Sequence, residues 1–138
     1  MPDAEPLRSE WITLQDNYEQ YEKGGLIIKL LAVVLCAAGF VLAPNILVIV
    51  FLLLVLWLQE GIFRTSQARL GARIVRIEQG LLAGEGVAFQ LHSEWLASRP
   101  GTFGLLAEYA CSALRPTVAF PHAALLALSA LQFVLSGK

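Results

Sequence analysis

Thirty consecutive positions, Leu30 to Gln59, carry no charged side chain. A membrane-crossing helix needs about 20 apolar residues, so the run is too long for one crossing and short for two. Ala43-Pro44-Asn45 interrupts it. Proline lacks the N–H a helix interior needs, and asparagine tolerates turn geometry, so the tripeptide reads as a tight reversal. The segment therefore predicts a transmembrane helical hairpin over residues 24–63, with helices at 24–42 and 45–63 and the turn at 43–45. Each helix reaches spanning length only by taking in one charge, Lys29 or Glu60. Both are expected as membrane-interface charges, either bridged to one another or solvated separately at headgroup depth.

A second uncharged stretch runs from Pro116 to Gly137. Pro121 suits a first helical position. The firm helix, Pro121–Leu135, would cover only about 22 Å at 1.5 Å per residue. A full span also needs Val118–Phe120. The expectation is a third membrane helix over 117–136, spanning or half-inserted.

Composition agrees with this class. The chain is 57% apolar and 15% charged with a net charge of −1. Ordinary soluble domains carry roughly 45–50% apolar and 25% charged residues. The balance excludes a disordered chain and gives no basic surface for nucleic acid. Two cysteines exclude a disulfide-built scaffold. The first 23 residues lack the basic start and short apolar core of a secretory leader, so no cleaved leader is expected.

Lys23, Lys29, Arg64, Arg69, Arg73 and Arg76 flank the hairpin arms, whereas its tip has no Lys or Arg. The positive-inside rule then places the N-terminus in the cytoplasm of a multi-pass inner-membrane protein, with the tip outside. Trp11, Leu14, Tyr18, Tyr21, Gly25 and Ile28 form a heptad-like seam running into the first membrane helix, and Ser9 is a candidate cap. Leu70, Ile74, Ile77 and Leu81 continue the second helix in the same way. Residues 1–23 are thus expected as a cytosolic amphipathic helix and 64–82 as a cytosolic basic helix. The first sums to −4, and residues 61–77 sum to +4. An antiparallel register about Pro44 puts Glu19 opposite Arg69, Asp16 opposite Ala72 and Arg73, and Trp11 opposite Ile77, with Glu22 in reach of Arg64 or Arg69. The same arginines also suit anionic lipid headgroups, Arg64 first because it is nearest the membrane. Residues 83–116 read as short interfacial or cytosolic helices, over Val87–Ala97 and Phe103–Leu114, the latter capped by Thr102.

Catalytic signatures are missing at the level of spacing. The two His and two Cys are far apart, with no two-His helical spacing, no phosphate-binding glycine loop and no nucleophile elbow. No catalytic, cofactor-binding or metal-binding residue is therefore assigned. His122, at the start of an apolar helix, reads either as an interfacial side chain with its ring at headgroup depth or as a possible intramembrane polar site. Ala32, Cys36, Gly39 and Ala43 form a small-residue face on which another helix can pack closely. The reading is an all-α integral membrane protein that is not an enzyme. It would need no cofactor and would act as a homo-oligomer or as an accessory subunit beside other membrane proteins in the lipid bilayer. The alternative is an oligomeric channel or pore-forming effector.

Overall fold

The computed structural model describes residues 4–42 and 45–137, and all regular structure among them is helical. Of the expected turn at 43–45, Ala43 and Pro44 lie outside the described residues. Two long helices dominate, α1 (Ala4–Leu42, 39 residues) and α2 (Ile46–Ala83, 38 residues). Each is continuous across the boundary between its polar and apolar halves. Three shorter ones follow: α3 (Leu91–Ser98), α4 (Thr102–Ala113) and α5 (Pro116–Leu135). The apolar parts of α1, α2 and α5 are each long and apolar enough to cross a membrane.

Local chemistry sets the helix ends. The Asn45 side chain accepts from the Leu47 N–H at 2.9 Å and caps α2. Gly84 stops α2 in the left-handed region (φ 67°), and the Glu85 N–H closes back on the Gly80 carbonyl at 2.9 Å. Four boundaries differ from the sequence reading. Ser9 does not cap α1, which is already helical at Ala4, with Pro6 tolerated in a first turn whose N–H groups need no helical partner. α3 begins at Leu91, after Val87–Gln90, because Gly86 and Phe89 hold positive φ of 129° and 61°. Gly101, rather than Thr102, precedes α4 as its cap residue. α5 starts at Pro116 and carries Pro121 inside it, so its twenty residues span about 30 Å.

α1 and α2 lie antiparallel along their length. Gly39 faces Ile49, Lys29 meets Glu60, Gly25 abuts Arg64, Gly71 abuts Tyr18, and the Trp11 indole donates to Glu78 at 3.0 Å. The stripes seen in the sequence form the contact. Leu7, Leu14, Ile74 and Ile77 make one buried cluster, flanked by Trp11, Tyr18, Leu70 and Leu81. Tyr21 packs edge-on against Phe63. In the apolar half, Ala32, Ile49 and Leu53 form a second cluster, closed by Leu125 and Leu126 of α5. A Cβ at Gly39 would overlap Ile49, so the small residue permits this approach. α4 lies on α2, where a Cβ on Gly61 would stand 3.0 Å from Ala113 and 3.1 Å from the Tyr109 carbonyl.

Candidate functional site

Three apolar helices meet at a cluster of ionisable side chains. Glu60 of α2 and His122 of α5 are both fully buried. One Glu60 oxygen, Oε2, lies 2.9 Å from His122 Nε2. The other, Oε1, is 3.0 Å from Lys29 Nζ of α1 and 3.8 Å from Arg64 Nε. Neither cation approaches Oε1 along a hydrogen-bonding direction, so that contact is electrostatic. His122 Nδ1 has no partner. A neutral imidazole with its proton on Nε2 fits this arrangement, since it donates to the carboxylate and leaves only a lone pair unmatched. The Trp57 ring stacks on the imidazole, with centroids 6.0 Å apart and planes within 6°. Trp57 is held in turn by its indole N–H, which donates to the Ala113 carbonyl at 2.8 Å.

The cluster shares one level. Lys29, Glu60 and His122 each stand about 20 Å of helical rise from the far end of their own helix. A buried carboxylate at this level needs its counter-charges, because stripping water from an ion costs several kcal/mol. Farther along α5, Ser129 Oγ lies 3.5 Å from Cys36 Sγ, tying the small-residue face of α1 to α5. Ala32, Cys36 and Gly39 are all buried within the chain.

A second polar cluster holds the other end of the molecule together. Arg73 donates through Nε and Nη2 to both Glu10 oxygens at 2.9 and 3.0 Å, and through Nη1 to Glu94 at 2.7 Å. It also donates to the Val87 carbonyl at 2.8 Å, while the Phe89 N–H donates to Glu10. The segment between α2 and α3 is therefore fastened to both long helices through one buried ion pair. Burial pushes the Glu10 carboxyl up. The Arg73 hydrogen bond, the Phe89 N–H and the Arg73 charge outweigh it and hold the carboxyl below its ordinary 4.5. The Glu10 hydrogen bond raises Arg73 against the opposing effect of burial. Arg76 adds a second contact to Glu94 at 2.7 Å.

The expected pairing residues divide. Glu22 meets Arg64 at 2.7 Å, and Gln67 donates to the same carboxylate. Arg64 and then Gln67 lower the Glu22 carboxyl. Arg69 instead approaches Glu108 at 3.5 Å and Arg73 binds Glu10 and Glu94. Asp16 and Glu19 are exposed and make no ion pair among the described residues, so the proposed Glu19–Arg69 and Asp16–Arg73 contacts are corrected. Glu10 lies in the inward stripe of Leu7 and Leu14, whereas Asp16 and Glu19 fall off it. His122 is buried at the cluster rather than solvated at an interface. Among the described residues, no group of three His, Cys, Asp or Glu side chains could hold a metal ion. No protein family, curated protein or solved structure matches the chain.

Two experiments follow from these clusters. Glu60→Met alone should destabilise the detergent-solubilised protein by about 3–5 kcal/mol, since it strands the Lys29 ammonium, and adding Lys29→Met should recover much of that loss. Thermal melts of both variants read the difference. For Glu10, ionisation is favoured in the folded state. Its contribution is complete above the unfolded value near 4.5 and is lost as pH falls through the lower folded value. Protection of the Phe89 amide in hydrogen exchange should be flat from about pH 7 to about pH 5 and fall at more acidic pH. Glu10→Gln should abolish that dependence.

Proposed function

We propose that this is a non-enzymatic, three-span protein of the inner membrane that assembles with itself or with a larger membrane complex. Residues 24–63 form its transmembrane hairpin. Its N-terminus and the α1–α2 stalk are cytoplasmic, and the far end of α5 is outside. A hydrocarbon core of about 30 Å accommodates the apolar ends of α1, α2 and α5 and reaches about 10 Å beyond the Glu60 level. Lys23 and Arg115 then stand near the cytoplasmic boundary, in keeping with the positive-inside rule.

One observation carries the assembly reading. Leu82 is 89% exposed, Phe89 71% and Ile12 57%. Leu82 is 22 residues beyond Glu60 on a continuous helix, about 33 Å of rise, so these side chains stand well outside any bilayer. Lipid does not reach them at that level, and they offer apolar surface to a protein partner. Phe89 sits in the left-handed region that bulky residues avoid, while its amide is fixed to Glu10. Against the pore alternative, the buried polar side chains at membrane depth are engaged within one copy. Lys29 and His122 meet Glu60, and Ser129 meets Cys36.

Size-exclusion chromatography with light scattering in mild detergent tests the proposal. The intact protein should run as a discrete multimer or with a stoichiometric partner. The triple substitution Ile12→Ser, Leu82→Ser, Phe89→Ser should give a lone monomer. A wild-type protein that is itself a lone monomer contradicts the reading.

A further inference from the structure

We propose that the cleft between α2, α3 and α4, bordered by Arg115 at the start of α5, binds the phosphate of an anionic phospholipid headgroup. The inference rests on the membrane-spanning reading above. The cleft has a volume of about 360 Å³, and its polar lining includes Thr65, Arg69, Glu108, Ser112 and Arg115, with Trp95 on its wall.

The distribution of arginine partners singles out this place. Arg64, Arg73 and Arg76 are each committed to a carboxylate at 2.7 Å. Arg69 has only the longer 3.5 Å approach to Glu108 and lies 5.0 Å from the Trp95 ring centroid. Arg115 makes no ion pair among the described residues and is exposed. Arg99 also lies 5.0 Å from the Trp95 centroid, adding a third guanidinium to the neighbourhood. Two lining guanidiniums thus face one lining carboxylate, and an anion would complete the balance. Thr65 Oγ1 lies 2.8 Å from Ser112 Oγ and 3.0 Å from the Gly61 carbonyl, so two hydroxyl groups stand side by side on the cleft wall. A phosphate offers the acceptors that guanidinium forks match best.

Depth and surface chemistry select a lipid over a free phosphate. Arg115 immediately precedes α5, whose twenty residues match the hydrocarbon thickness, so its guanidinium lies at headgroup level. Phe103 and Leu106 of α4 and Leu114 just after it are exposed, and they supply apolar surface for acyl chains beside the charged cleft. The sequence reading gave Arg64 first place as the lipid contact. The structure gives Arg64 to Glu22 and Gln67, and Arg115 and Arg69 take over that role.

Native mass spectrometry and thermal melts of the full chain in detergent test the site, with phosphatidylglycerol, phosphatidylcholine and inorganic phosphate as probes. Phosphatidylglycerol should bind and raise the melting temperature, while the other two leave it unchanged. At about 1 kcal/mol per arginine, Arg115→Gln or Arg69→Gln should weaken phosphatidylglycerol binding about fivefold and the pair about thirtyfold. Arg8→Gln should have no effect. Equal binding by the wild type and Arg115→Gln overturns the site, as does equal stabilisation by phosphatidylcholine. Inorganic phosphate matching phosphatidylglycerol overturns the lipid assignment. Extraction of native membranes with alkaline carbonate separates the two failures. Release of the protein defeats the membrane reading itself. Retention with indifference to phosphatidylglycerol defeats only this site.

Discussion

A carboxylate cannot stay ionised among apolar helices unless counter-charges and donors come to it, and Glu60 brings one from each neighbouring helix. Lys29 fixes α1 against α2, and the His122 N–H fixes α5. Apolar packing alone tolerates sliding and rotation of such helices, because lipid and leucine are equally apolar surroundings. A single buried ion removes that freedom. Rotating α5 would strip the donor from Glu60 Oε2, unstack Trp57 and separate Ser129 from Cys36 together.

The opposite end uses the same physics among more polar residues. The Leu7, Leu14, Ile74 and Ile77 cluster holds the long helices together, and the Glu10–Arg73 pair fixes their register. Arg73 also carries the chain after α2, through Val87 and Glu94. That connection turns α3 and α4 back along α2, so that Ser112 meets Thr65 and the Trp95 cleft is formed. The two polar clusters therefore serve different tasks. One sets the angular order of the apolar helices, and the other returns the chain to them.

Much of the helical framework was legible because long helices announce themselves by uncharged length and by 3–4 spacing. The seam from Trp11 to Ile28 and the stripe from Leu70 to Leu81 are the stripes that meet. Glu22 with Arg64 and Lys29 with Glu60 follow from the same antiparallel register. Contacts beyond that register were hidden. Whether His122 faces Glu60 depends on the rotation of α5, which a uniformly apolar helix does not encode. Arg69 reaches Glu108 and Arg73 reaches Glu94 because residues 84–101 fold back, and glycine-rich connections do not state their direction. Glu10 does carry a signal in the sequence. Glu10 stands in the Leu7–Leu14 stripe, where a charge facing inward calls for a partner.

The arrangement around Glu60 is the centre of this account, and nitrogen-15 solid-state NMR of the histidines in lipid bilayers addresses it directly. At neutral pH, His122 should give one protonated and one unprotonated ring nitrogen. Its Nε2–H should show a dipolar contact to the Glu60 carboxyl carbon and exchange slowly with water. A fast-exchanging His122 with no carboxyl contact would contradict the three-helix polar cluster.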